Sequence, residues 1–340
     1  MRNAFHLHLV KILPFYFLIL VLLSCTERQH PPVSFYYWKQ SFELSKSQTQ
    51  LLQSCGTKRL YVKFFDVVLD GNQQVKPISK IDFQASVKME VVPCVFIQNA
   101  VFEHTGNTTR LAEKMTKLIL SIAANQSLRV KEIQIDCDWT KSTKAAYFSF
   151  LEALQAKLGN IDLACTIRLH QIKYQESSGI PPVKKGLLMC YNMDDIDDVT
   201  TPNSIVSSKV LKQYVNENTA YPLPLDLALP IFQWGLVFRL GKLSVISNDI
   251  SIQSLKHPDI QKIGENSYLV KENTSIHETN LCKGDLIRFE SSSSRELFKL
   301  AKILKETKLT FEQLIYYHIS QEHIHSYHAN TLSAINRLIP

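Results

Sequence analysis

Glycine is scarce in this chain, 10 in 340 residues, and proline stops at 13. So little of either excludes a collagen-like or disordered low-complexity chain, and 45% hydrophobic with 20% charged residues is a globular composition. A run of basic residues is missing too. The 38 Lys and Arg against 31 Asp and Glu give a formal charge of +7, scattered along the chain, which reads as solubility and not as nucleic-acid binding. No CxxC or zinc-type spacing occurs, no sequence repeat interrupts the chain, and no second apolar run of spanning length follows the first. The length suits one α/β barrel as well as two domains.

The first 25 residues stand apart. Arg2 and Lys11 are positive, Ile12 to Leu23 is an almost unbroken apolar run, and Leu22-Leu23-Ser24-Cys25 ends it. A run this short reads as the apolar region of a signal peptide, and a small residue before cysteine is the pattern of a lipidated N-terminus. The expected division is therefore residues 1–24 as lipoprotein signal, 25–32 as a tether lipidated at Cys25, and 33–340 as the folded domain. Acylation of Cys25 would hold the protein on a membrane of the bacterial cell envelope without a spanning helix. An uncleaved anchor or an ordinary signal peptide is the alternative. Of the six other cysteines, Cys94, Cys137, Cys165 and Cys190 sit in apolar strand-like runs, so buried thiols are expected in place of disulfides; Cys55 and Cys282 complete the set.

Short β-rich runs recur along the remainder: 33–38, 60–69, 91–98, 132–138, 161–170, 186–193, 225–234 and 285–290. Several are apolar on both faces, as in a parallel sheet. Between them run amphipathic stretches, with Leu111, Met115, Leu118 and Ile122 on one stripe and Tyr147, Leu151, Leu154 and Leu158 on another. Ser293 and Glu296 read as a capping box opening a helix over 295–306. Eight strands alternating with helices predict an α/β fold, a single (β/α)8 TIM-like barrel, with a doubly wound open sheet as the alternative. No clear helix separates residues 72 to 90. The stretch beyond residue 308 reads as a C-terminal helical extension packed outside the barrel.

Active sites of such barrels lie at the C-terminal ends of the strands. All three tryptophans, Trp38, Trp139 and Trp234, fall there, and indole faces stack well on sugar rings; the bland alternative is core packing. The same ends carry Asp66, Gln98, Asp136, Asp138, His170, Tyr191, Asn192, Gln233 and Glu290. Period-two alternation points Asp136 and Asp138 to one side, where mutual repulsion raises one pKa and keeps that carboxyl protonated as an acid. A hydrogen-bonded structural carboxylate is the alternative for Asp136, and a satisfied structural group for His170. His318, His323, His325 and His328 match neither a metalloprotease helix nor a finger pair, so no metal site is expected. Nothing in the sequence asks for a cofactor.

Ile133-Gln-Ile-Asp-Cys-Asp-Trp resembles the fourth-strand motif DxxDxDxE of glycoside hydrolase family 18, the chitinase family. Leu188-Met-Cys-Tyr-Asn is similar to its sixth-strand MxYD, and Leu227-Ala-Leu-Pro-Ile-Phe-Gln-Trp-Gly to its GxPxYG. The whole chain also resembles a group of uncharacterised bacterial lipoproteins with such barrels. The resemblance implies a chitinase-type barrel acting on glycans, yet the motif's catalytic Glu falls on Thr140, its first Asp on Ile133, and the MxYD aspartate on Asn192. Losing that Glu removes the family's acid.

The leading expectation is thus a membrane-tethered, glycoside-hydrolase-like lipoprotein acting on a polysaccharide or cell-envelope glycan, working as a monomer. Asp138 would be the acid/base, with Asp136 tuning it and Glu290 as a second carboxyl across the mouth. Trp38, Trp139 and Trp234 would form the sugar platform, and Asp66, Gln98, His170, Tyr191, Asn192 and Gln233 would line it. A non-catalytic glycan-binding protein on the same barrel is the alternative, and a purely structural envelope protein a third reading.

Overall fold

The structure, a computed structural model, describes residues 30–321, 324 and 327–340. Cys25, the apolar run before it, His323 and His325 lie outside the described residues. Residues Pro31–Pro340 form one compact unit. No helix among the described residues is long and apolar enough to cross a membrane.

Eight parallel strands close into a barrel: β1 (Val33–Tyr37), β2 (Arg59–Leu69), β3 (Glu90–Ile97), β4 (Glu132–Asp136), β5 (Asp162–Arg168), β6 (Lys185–Met189), β7 (Leu225–Pro230) and β8 (Phe311–Tyr317). Closure comes from β1, whose Val33 pairs with Leu314 of β8 and whose Phe35 pairs with Leu60 of β2. Their near-continuous apolar sequence follows from this placement, because each strand buries one face in the barrel and the other under helices. The main helices are α1 (Lys46–Ser54), α2 (Thr108–Asn125), α3 (Lys144–Leu158), α4 (Ser208–Tyr214), α5 (Ser294–Lys305) and α6 (Ala329–Asn336). Of the stripes read from the sequence, Leu111 and Met115 of α2 and Tyr147, Leu151, Leu154 and Leu158 of α3 face inward, whereas Leu118 and Ile122 are only partly buried and Ile119 is buried instead. As expected, no helix connects β2 to β3. A strand over Val75–Ile78 instead turns back antiparallel on the end of β2.

The eighth strand is a correction. The run at 285–290 does not close the barrel. Leu286–Ser291 is the central strand of a five-stranded antiparallel sheet with Gln233–Arg239, Lys242–Ser247, Ser267–Val270 and Ile260–Lys262. This sheet is inserted between β7 and α5 and has a small core of its own, including Val237, Ile250, Val270 and Ile287. Gly235 is required there, since a Cβ would sit 2.5 Å from Cβ of Ile250. The barrel closes through Phe311–Tyr317, the stretch expected outside it, where Leu314, Ile315 and Tyr316 are fully buried. Both segments are short and apolar, and pattern alone does not name a strand's partner.

The bottom layer of the barrel is charged. Lys185 Nζ lies 2.7 Å from Asp226 Oδ2 and 3.2 Å from Glu132 Oε2, and Arg59 Nη1 lies 3.1 Å from the same Glu132 oxygen. Tyr61 donates to Asp226 at 3.2 Å. Burial pushes the Asp226 carboxyl up to about 6 against the opposing pull of Lys185. This network ties β2, β4, β6 and β7 together at the end opposite the candidate site.

Candidate functional site

Higher in the barrel the inward rungs of β4 and β5 meet as acid and donor. Asp136 ends β4, and Thr166 of β5 donates its hydroxyl to Asp136 Oδ1 at 2.7 Å. Two residues on, Arg168 Nε lies 3.0 Å from Asp138 Oδ1. Both carboxylates thus meet alternate residues of β5, although only Asp136 lies within β4, which ends there. Burial is the main cause that pushes the Asp136 carboxyl up to about 6, and the Asp138 charge adds to it, while Thr166 and Arg168 pull the other way. The raised pKa falls on the inner aspartate, whereas the exposed one is held by a guanidinium. Gln171, fully buried, fixes the loops above: its Oε1 accepts from Arg168 N at 2.8 Å and its Nε2 donates to Trp139 O at 3.1 Å.

Two clefts open at this end. The first, about 270 Å³, is lined by Asp138, Thr140, Arg168, His170, Tyr191 and Asn192 among others. The second, about 420 Å³, is lined by Trp38, Asn192, Phe232, Trp234, Tyr317 and His318 among others. Asn192 belongs to both and joins them. Its φ of 49° lies in the left-handed region, which asparagine tolerates better than most residues. Tyr191 stacks on Tyr317 with ring centres 4.7 Å apart, and Trp38 and Phe232 meet Tyr317 edge-on at 5.6 Å each. These rings form an aromatic floor between the two clefts. The His170 imidazole is pushed down by desolvation and by Arg168, with Asp138 opposing.

The sequence-derived set divides. Asp138, His170, Tyr191, Asn192, Trp38 and Trp234 stand in these clefts, whereas Asp66 lines neither and is paired with Lys63 at 3.0 Å. Trp139 borders the first cleft but is only 2% exposed. Its ring stacks on Tyr147 of α3 and its Nε1 donates to Ser178 O at 3.0 Å, so its faces serve packing and not a sugar platform. Glu290 is corrected in the same way. It sits in the inserted sheet and lines neither cleft. Its oxygens accept from Arg288 Nε at 2.6 Å, Ser204 Oγ at 2.6 Å and Trp234 Nε1 at 2.8 Å. A carboxylate so saturated is a structural anchor, not a second acid facing Asp138. Gln98 is exposed, accepting from Leu69 N, and Gln233 pairs with Ser291 in the inserted sheet; neither lines a cleft. Arg168, Tyr317 and Gln171 were missed. Strand-end position marked Arg168 as it marked His170, but Tyr317 was hidden by the misplaced eighth strand. His318 borders the second cleft, and among the described residues no group of three His, Cys, Asp or Glu is placed to hold a metal. The six cysteines from Cys55 onward are free thiols, four of them buried.

No protein-family model and no curated protein matches the sequence. Solved structures do. The chain is similar to the spore cortex-lytic enzyme SleL of Bacillus cereus at a TM-score of 0.50 and 12% identity, covering 91% of this chain and 74% of that one. It is similar also to the C-terminal domain of a Desulfitobacterium hafniense protein provisionally assigned as a chitinase, at 0.51 and 11%, covering 91% and 98%. The fold is that of the chitinase-type barrels. Identities this low establish the architecture and leave the chemistry to the residues. Thr140, which the sequence resemblance sets at the motif's acid position, carries an exposed hydroxyl that borders the first cleft and is bonded to Ser142 and Thr143.

Proposed function

We propose that the mouth of this barrel binds a polysaccharide or cell-envelope glycan and that binding, not cleavage, is its main activity. The observation that carries this reading is the joined pair of clefts, aromatic on one side and polar on the other, with Asn192 between. Trp38 and Trp234 supply apolar ring faces, while Asp138, Arg168, His170 and Asn192 supply hydroxyl partners; this is the mixture that sugars require. Thr140 in place of an acid, Asp138 in an ion pair and Glu290 locked in the inserted sheet speak against efficient hydrolysis. One feature favours the hydrolytic reading: burial, helped by the Asp138 charge, pushes the Asp136 carboxyl up to about 6. The protein would be tethered to an envelope membrane by lipid on Cys25, a proposal supported by the apolar run and the Ser24-Cys25 junction.

The test uses the chain from Thr26 onward and a panel of β-linked glycans, with retention and newly formed reducing ends measured together. Retention of one glycan without new ends, lost in Trp38→Ala, is the expected result. New ends that vanish in Asp138→Asn would establish a hydrolase instead. Tethering is checked by detergent partitioning of the full chain and of Cys25→Ala, which should move to the aqueous phase.

A further inference from the structure

The missing helix between β2 and β3 leaves a gap in the ring around the barrel. In that gap lies a groove of about 490 Å³ between the Val75–Ile78 strand and α2, on the outside of the barrel and away from the clefts at its mouth. Its accessible apolar walls are Val75 and Pro77 of the short strand and Leu118 of α2, above the buried Phe65, Val67, Leu111 and Met115. Its rim is positive. Arg110 and Lys114, one turn apart on α2, are both exposed, and among the described residues neither forms an ion pair. No carboxylate lines the groove, and the first turn of α2, whose positive dipole end opens here, carries no acidic residue. The volume falls in the range of small-molecule sites, roughly 300–1,000 Å³, which are mostly apolar with a few placed polar groups.

We propose that this groove binds a single-chain fatty acid, its alkyl chain along Val75, Pro77 and Leu118 and its carboxylate at Arg110 and Lys114. Charge selects the ligand. A carboxylate gains from the two exposed cations what a neutral headgroup does not, and a cationic one would be repelled.

The experiment is equilibrium dialysis of the full chain against radiolabelled dodecanoate, with dodecanol as the uncharged companion. One dodecanoate per chain is expected. Leu118→Trp, on the half-buried wall, should abolish binding of both ligands by filling the groove. The double variant Arg110→Glu with Lys114→Glu should weaken dodecanoate at least tenfold and leave dodecanol unchanged. Both positions are exposed, so an unchanged melting temperature verifies the fold. Every variant keeps the apolar N-terminal run, so uptake there cancels from the comparison. Absence of dodecanoate binding, or binding indifferent to Leu118→Trp, overturns the proposal. Equal losses of dodecanoate and dodecanol in the charge-reversed variant overturn it as well. A dimer in light scattering that the charge-reversed variant dissolves would assign the groove to a second copy of the chain instead.

Discussion

Arg168 Nε stands 3.0 Å from Asp138 Oδ1, one rung above the Thr166–Asp136 hydrogen bond, at the rim of the first cleft. The Asp138 side chain is 50% exposed, so solvent screens this pair and its share of fold stability is about 0–1 kcal/mol. Its effect is positional: it sets where a carboxylate and a guanidinium meet a ligand. Arg168→Met should shift the melting temperature by no more than about 2 °C, by the arithmetic for a chain above 250 residues. Glycan retention should fall about tenfold, the loss of one charge-assisted hydrogen bond. Calorimetric titration beside a thermal melt checks both. Unchanged affinity would move the ligand out of the first cleft.

Two tryptophans should respond oppositely. Trp38 is half-buried in the second cleft, whereas Trp139 is enclosed between α3 and the loop at Ser178. Trp38→Ala should abolish glycan retention with little change in urea midpoint. Trp139→Ala should cost about 3–5 kcal/mol in unfolding free energy, the usual figure for deleting a buried indole.

Asp136 makes stability depend on pH. Its folded pKa, about 6, is raised above the unfolded value near 3.8, so the folded state holds the proton more tightly. That contribution is complete below about pH 4 and is lost as pH rises through 6, amounting to about 3 kcal/mol. Asp136→Asn should therefore flatten the fall in stability between pH 4 and 7, as read by urea unfolding at each pH. Asp226 carries a shift of the same sign, so part of the slope should persist.

Lys185 bridges Glu132 and Asp226 at the bottom of the barrel. Lys185→Met would leave both carboxylates without their shared cation and should cost about 3–5 kcal/mol. Adding Asp226→Leu should recover part of that loss, because the uncompensated buried charge is then gone. No recovery would show that hydrogen bonding by Tyr61, not charge, holds this layer.

The readings that held from the sequence are those that depend on local periodicity. Asp136 and Asp138 meet Thr166 and Arg168, two residues apart on β5, and most of the stripes of α2 and α3 face inward because a helix repeats every 3.6 residues. Failures arose where the missing information was which element a segment meets. Glu290 ends a short β-rich run, as Asp66 and Tyr191 do, yet its strand pairs antiparallel with Gln233–Arg239. Trp139 follows Asp138 directly, and that single step turns it out of the mouth and onto Tyr147.

By itself the sequence determined the α/β class, the order of the first seven barrel strands and the spacing of the carboxylate pair. Each of these is written in spacing or in residue type. Only the tertiary structure decided that Phe311–Tyr317 closes the barrel, that Trp38 and Trp234 share a cleft, and that Arg168 holds Asp138. Those are contacts between residues far apart in the chain, and they depend on long-range packing that no local pattern encodes.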